Sequence, residues 1–464
     1  MAILGALVLV VFLLIRPMEI VPAIAQLRPL EVLTLFIALG VTWDVLVRRR
    51  RLVLSPQVPW LIAFLGWSFA VTIAKLGKEG FGVAWATITL AAIFMVLVGL
   101  AAVTRERLRA LAAVLVACLA TISVVAVHQG VQPPQCIEVR DEPGEGEEWT
   151  PDGRECEGAR ACENNGRPDV DYVCERVGML GTFSTGRRVR YRGQLADPNE
   201  LSVFVGAVLP FLFLLTGAPG ARGARGALGR ALSIAPIVAV SLGAVVLAQS
   251  RSGQIVLGTI ALVAFVRRYG AAGSIVAAAV SLPVVLLSWR EGAEADASSL
   301  ERATILFEGI DLVRAHPLLG VGVAQFVHEI SIPFTAHNSY LLVAAELGLP
   351  GLLLWSGLLW SSLKIAVEVA ERPPPGLDPQ LQRFAEALAI SLLGVFVGVY
   401  FLSFSYKQLL FVWLGLAFAL HGAVRAQAPD FRVTMTRRDL LGIAAFSLAI
   451  LASVWIVSRA GVAG

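Results

Sequence analysis

Long apolar runs recur from one end of this chain to the other, and they constrain its architecture before any motif is read. Many are roughly 17–22 residues long, the length at which a helix crosses the hydrocarbon core of a bilayer. Hydrophobic residues fill 57% of the 464 positions and charged residues only 16%, with a mean hydropathy of +0.74. Soluble domains run at about 45–50% apolar. Inside lipid each backbone polar group must be satisfied within the protein, so runs of this kind fold as helices. The expected fold class is an all-α polytopic membrane protein with about 12–13 transmembrane helices and large outer-face loops.

Thirteen spans are expected, at about 2–15, 30–47, 58–74, 82–102, 110–129, 200–217, 231–248, 252–266, 271–288, 340–363, 385–404, 408–424 and 440–457. The first opens at Met1 without a basic leader and another span soon follows, so it reads as a span and not as a cleaved signal peptide. Basic residues cluster in six connectors: Arg48–Arg51, Arg105/Arg107/Arg109, Arg222/Arg225/Arg230, Arg267/Arg268, Lys364/Arg372/Arg383 and Arg425/Arg432/Arg437/Arg438. With thirteen spans all six fall on one side, which the positive-inside rule assigns to the cytoplasm. The N-terminus is then cytoplasmic and the C-terminus outside. The long connectors 130–199 and 289–339 face outward.

The connector 130–199 holds Cys136, Cys156, Cys162 and Cys174, while Cys118 stands alone inside a span. Four cysteines in one polar, outward-facing loop read as two disulfides. Three connectivities are open. The spacing C-x19-C-x5-C-x11-C lacks the close pairs that zinc modules favour, and no metal is expected. Residues 136–176 carry thirteen Asp/Glu against five Arg. They read as a small stapled insertion, serving as a lid or as a surface for a partner such as a chain-length regulator.

The sign of the charge then flips. GRRVRYRG (186–193) places Arg187, Arg188, Arg190 and Arg192 within six residues, and ADPNEL leads into the next span. Arginine suits bidentate recognition of phosphate oxygens. Arg251 stands in QSRSGQ (249–254), a tight turn between two apolar runs that is also expected outside. An arginine near membrane depth normally has a partner or a function.

The second outer connector begins with a helical pattern from Ser298 to Arg314. Ser298 or Ser299 is the expected N-cap, and Leu300, Thr304, Phe307 and Ile310 or Asp311 the expected common face. Such a helix would lie in the interface, with Arg302 and Arg314 pointing into one cavity. His316-Pro317 ends it. His337 follows, flanked by Asn338, Ser339 and Tyr340, immediately before a long apolar run. It is the histidine placed where a base would act at the membrane surface; His128, His316, His328 and His421 read as structural. The chain has no H-E-x-x-H, no P-loop and no Rossmann glycine pattern, so neither a metal, a nucleotide cofactor nor a nucleic-acid partner is expected.

Three stretches, in this order, resemble the O-antigen ligase and O-antigen polymerase superfamily of cell-envelope glycosyltransferases. RYRGQLADPNELSVF (190–204) is similar to that family's R-x-x-G…(D/N)PN approach to a span. SRSG (250–253) is similar to its Ser-Arg-Gly turn. HPLLGVGVAQF…AHNSYLLVAAELGLPG (316–351) is similar to its P-(L/F)-x-G-x-G…HN-x-(Y/F)-L…E-x-G signature. The resemblance implies a C-type glycosyltransferase architecture in the bacterial inner membrane, with its site on the periplasmic face and no cofactor. The donor would be a glycan on undecaprenyl pyrophosphate. The acceptor would be lipid A-core or a growing glycan. The resemblance assigns Arg190 and Arg251 to the pyrophosphate, with Arg192 as a further candidate, and His337 to the acceptor hydroxyl. Arg302, Arg314, Asn338 and Tyr340 are candidate supporting residues.

The layout expected is helices over 1–129, the Cys-rich loop over 130–199, helices over 200–288, the second outer loop over 289–339, and helices over 340–464. A ligase-like core would cover about 190–410. Besides a ligase, two readings compete: a polymerase joining repeat units on the same carrier, and a transporter of lipid-linked oligosaccharide. A flippase would line its spans with charge, whereas here the spans are apolar and the arginines lie outside.

Overall fold

A computed structural model describes the chain except residues 50–51, 143–145, 165, 168–169, 217–223, 288–292 and 464. Every expected run overlaps a helix: α1 (Ala2–Ile15), α2 (Pro29–Leu46), α3 (Val58–Leu76), α4 (Glu79–Ala101), α5 (Arg105–Val131), α6 (Pro198–Thr216), α7 (Ala224–Ala248), α8 (Arg251–Tyr269), α9 (Gly273–Leu287), then, after the outer helix α10 (Ala293–Ala315), α11 (Ser339–Glu371), α12 (Pro379–Gly398), α13 (Gln408–Gln427) and α14 (Arg437–Ala463). Ten helical segments among the described residues are long and apolar enough to span a membrane, α8 and α9 counting as one; α1 and the apolar part of α7 are shorter. The protein is an all-α polytopic membrane protein.

Burial grades these helices between two extremes. Within the apolar windows of α6, α11 and α13, 78%, 78% and 89% of residues are buried against protein, whereas for α2, the α8–α9 segment and α14 the share is 17%. A helix apolar on every side and covered by neighbours is a core element; one apolar on every side and uncovered faces lipid. The core therefore runs along α6, α11 and α13, and α12 packs against all three. One expected boundary moves in a way that matters. The run 385–404 stops being helical at Gly398, and residues 399–407 form a loop that turns back over the head of α11.

The acidic insertion is a small antiparallel sheet. Strands β1 (Pro134–Glu142), β2 (Gly146–Glu155), β3 (Asp171–Gly178) and β4 (Thr182–Phe183) pair in the order β2-β1-β3-β4. The disulfides are Cys136–Cys162 and Cys156–Cys174. They sit side by side, so three sulfurs lie within 4.8 Å of one another; oxidised in pairs, they offer no thiolate to a metal. With Tyr172 they form a core of their own. So little apolar surface cannot stabilise a sheet of this size unaided, and cross-links that restrict the unfolded chain supply the rest.

The outer helix corrects two expectations. It starts at Ala293, ahead of either expected serine cap. Its covered face is Ala303, Ile305, Gly309, Ile310 and Val313, while Leu300 is 55% exposed and Asp311 is exposed. The expected common face is therefore split: Ile310 is covered, Thr304 and Phe307 are half-buried, and Leu300 and Asp311 are turned outward. The helix packs against α11 and α14, and these neighbours, not the mean pattern of the sequence, select the face.

Candidate active site

The third motif is held by a break in α11. Gly348 has φ +71°, and an added Cβ there would sit 2.2 Å from the Leu318 carbonyl oxygen. Only glycine combines that backbone angle with so close an approach. Pro350 lacks an N–H, which frees the carbonyl four residues earlier. That carbonyl, of Glu346, accepts from Gly322 N–H at 2.8 Å; Ala345 O accepts from Val321 N–H at 3.0 Å, and Leu349 N–H donates to Pro317 O at 2.8 Å. Trp67 Nε1 caps Leu347 O at 2.8 Å. The P-L-x-G-x-G loop is therefore laced to the kink by backbone bonds. The buried Glu346 carboxylate adds to this by accepting from Phe326 N–H at 3.3 Å and from Tyr406 Oη at 2.8 Å.

His337 stands just before the head of α11 in the left-handed region, at φ 48°. The next residue, Asn338, is extended, and its Oδ1 caps Leu341 N–H at 2.9 Å. Ser339 ties the helix to the 399–405 loop. Its N–H donates to Val399 O at 2.8 Å, its Oγ donates to Leu402 O at 2.6 Å and accepts from Phe404 N–H at 2.7 Å, and its carbonyl accepts from Ser405 Oγ at 3.0 Å. Tyr340 is fully buried, donates to Phe396 O at 3.2 Å, and packs edge-on against Trp355 and Phe446. Asn338 and Tyr340 thus hold the helix head rather than line the site. The His337 ring stacks on Phe334 at 5.9 Å. The preceding loop is pinned to α10 by Ser331, which donates to Glu308 from its N–H at 2.9 Å and its Oγ at 2.5 Å.

Burial pushes the His337 imidazole down to about 4; the Arg302 guanidinium pushes it the same way and Asp197 opposes. The ring is neutral at physiological pH. It also lies in the field of groups from two other segments: Arg302 on the covered side of α10, and Asp197 at the start of α6. Arg314 lies elsewhere, on an exposed flank, paired with Asp311 at 3.1 Å.

The first and second motifs meet at Asn199. Its Oδ1 accepts from Arg188 at 2.9 Å and from Ser250 Oγ at 2.9 Å. Arg188 also donates to Ala248 O at 2.9 Å, and Ser250 caps α8 by accepting from Gly253 N–H at 3.1 Å. Arg251 is the first residue of that helix and is exposed. Beside this junction, Lys407 pairs with Glu200 and its ammonium lies 5.1 Å from the Phe404 ring centre.

Arg190 and Arg192 are held by backbone. Arg190 donates to Phe183 O at 3.0 Å and its guanidinium lies 5.2 Å from the Trp149 ring centre, on β2 of the insertion. Trp149 in turn packs on Phe183 at 5.7 Å. Arg192 donates to Glu19 O at 2.9 Å, to Gly181 O at 2.6 Å and to Leu180 O. Its Nε is buried without a partner.

Sequence reasoning missed the roles of Asn199, Ser339, Glu346, Lys407 and Trp149. Asn199 and Glu346 stood inside quoted motifs, so their signal was present. Lys407 and Trp149 carried none, because each matters only through a residue far off in sequence.

Residues 236–356 match the family model described as O-antigen ligase. That range contains the Ser-Arg turn, the P-L-x-G-x-G loop, His337 and the Gly348 kink. The match bears out the resemblance to the O-antigen ligase and polymerase superfamily. No curated protein matches the chain.

Proposed function

With the O-antigen ligase match over residues 236–356 as premise, we propose that this membrane protein transfers a glycan from undecaprenyl pyrophosphate to an acceptor hydroxyl at the outer face. His337 takes the proton of the attacking hydroxyl. The new bond forms at the anomeric carbon while the bond from that carbon to the diphosphate oxygen breaks. Undecaprenyl pyrophosphate leaves with the electron pair, and the anomeric centre inverts. In this reading Arg251, Arg190 and Arg192 would take the charge that builds on the leaving group; fixed guanidinium groups in a site of reduced dielectric favour it most in the transition state.

The observation that carries this reading is the neutral, half-buried His337 held at the head of α11, in the field of Arg302 and Asp197. A base must be unprotonated to act, and burial keeps it so. A bound diphosphate adds negative charge nearby, which raises the basicity of the imidazole when substrate arrives. The buried, unpartnered Nε of Arg192 is a second support, since an orphaned donor is costly unless something fills it.

The test is a reconstituted transfer assay with purified protein in liposomes, a lipid-linked oligosaccharide donor, EDTA and no nucleotide. Glycan on lipid A-core, lost in His337→Ala and Arg251→Ala at equal expression, supports the ligase. A ladder of repeats on the carrier from donor alone points to polymerisation instead. Carrier movement across the bilayer without any product rejects both and leaves transport.

A further inference from the structure

The end of the bundle away from His337 contains a cavity of about 340 Å³. Pockets for small ligands start at roughly 300 Å³. Its walls are apolar, with Val45 on α2, Leu100 at the end of α4, and Leu52 and Val103 on the connectors. Among the described residues two charged ones line it, Asp44 and Arg425. Arg425 lies in the last turn of α13, the helix whose other end begins beside Lys407. At a rise of about 1.5 Å per residue the two ends are roughly 26 Å apart, close to a full bilayer core.

The charges there do not balance. Asp44 is buried and has both Arg48 and Arg107 at 3.6 Å. Arg107 also donates to Ala101 O at 2.9 Å. Arg425 has no ion pair or hydrogen bond among the described residues, and its Nε is buried without a partner. One turn earlier on the same helix, His421 is buried with its Nδ1 unpartnered. Among the described residues three arginines stand against one carboxylate, and Arg425, the one with no acceptor there, opens onto apolar walls. Desolvated donors of this kind are costly to leave unmade.

We propose that this cavity binds an anionic phospholipid, its headgroup phosphate on Arg425 and part of an acyl chain along Val45, Leu100 and Val103. An acyl chain needs an apolar wall at membrane depth, and a phosphodiester needs a cation at the boundary. The cavity supplies both at the helix ends that the positive-inside rule assigns to the cytoplasm, where anionic lipid attracts basic residues. The inference does not depend on the transfer reaction and stands or falls separately from it.

The test is native mass spectrometry of the full chain released from nanodiscs of equal phosphatidylglycerol and phosphatidylcholine. Retention of phosphatidylglycerol should exceed that of phosphatidylcholine by roughly fivefold, the size expected of one arginine near an anionic headgroup. Arg425→Gln should abolish the preference. Val45→Trp, which fills the cavity and keeps the charge, should abolish it as well and decides the matter if Arg425→Gln does not fold. Arg372→Gln, at a side chain 80% exposed at the end of α11, should leave it unchanged. Equal retention of the two lipids, or a preference that survives both cavity variants, overturns the proposal. Displacement of the lipid by millimolar inorganic phosphate also overturns it, because it would show an anion site with no role for the chain.

Discussion

Gly253 lies so close to Ser202 that an added Cβ would sit 2.2 Å from the Ser202 Cβ. Glycine in the second motif is thus the condition for α8 to start against α6, with Arg251 two residues before the contact. Gly253→Ala should push the head of α8 outward and move Arg251 by about the width of a methyl group. Displacements of about 1 Å in a binding group can cost on the order of 100-fold. Transfer by Gly253→Ala should fall by that order while expression and thermal unfolding change less than for a core cavity variant. The paired variant Gly253→Ala with Ser202→Gly, which makes room on the other helix, should recover much of the loss in the same assay.

If His337 is the base, as proposed, it should set the acid limit of activity. Its imidazole is pushed down to about 4, so the free protein keeps a competent base well below the ordinary histidine range. The acid limb of kcat/KM should therefore fall near pH 4, not near 6.5, and the limb of kcat should lie higher, because a bound diphosphate favours the imidazolium. Arg302 depresses the imidazole, so Arg302→Gln should move the kcat/KM limb upward. For stability the sign is fixed in the same way. A depressed histidine contributes fully above about 6.5, and that contribution drains away as pH falls from there toward 4, since only the unfolded chain takes up the proton over that window. A limb that stays put in Arg302→Gln would remove Arg302 from the site.

Much of this was legible from sequence, and the reasons differ by level. Spans were legible because bilayer thickness fixes helix length, and thirteen runs landed on helices. The places of His337 and Arg251, each at the start of a helix, were legible because each stands at an apolar boundary. The covered face of α10 was read only in part: Ile310 was placed on it, but Leu300 follows the helical period as well as Ala303 and Ile305 do, and the neighbours α11 and α14 decide which side is covered. Disulfide pairing was closed to sequence, since three connectivities share one spacing. The early end of α12 at Gly398 was also hidden. Residues 399–404 are as apolar as a span, and only Ser339, bonding back to Leu402 and Phe404, shows why they form a loop.

The insertion reaches Arg190 through Trp149. A guanidinium over an indole face gains about 0.5–1 kcal/mol at exposed sites and more when desolvated. Trp149→Ala should loosen Arg190 and raise KM for the lipid-linked donor by roughly two- to fivefold with kcat nearly unchanged, consistent with a positioning role. Reducing both disulfides should do the same by freeing β2, since losing native disulfides from a small domain typically costs 2–5 kcal/mol. Unchanged KM in both treatments would make the sheet a bystander to donor binding.

Lys407 and Glu200 form a pair at the head of α6, with side chains 33% and 11% exposed. Two roles fit such a lysine. It neutralises a buried carboxylate, or it also offers its ammonium to the donor's phosphates. Lys407→Met alone cannot separate them, because stranding a buried charge typically costs 3–5 kcal/mol whatever the lysine does for substrate. The double variant Lys407→Met with Glu200→Gln removes both charges and should restore folding, measured as the monodisperse fraction in detergent and the unfolding temperature. If the pair is only structural, transfer returns with folding. Because Lys407 sits beside the Asn199 junction that carries Arg251, we expect folding to return while KM for the donor stays raised. Full recovery of KM in the double variant would confine Lys407 to holding Glu200 in place.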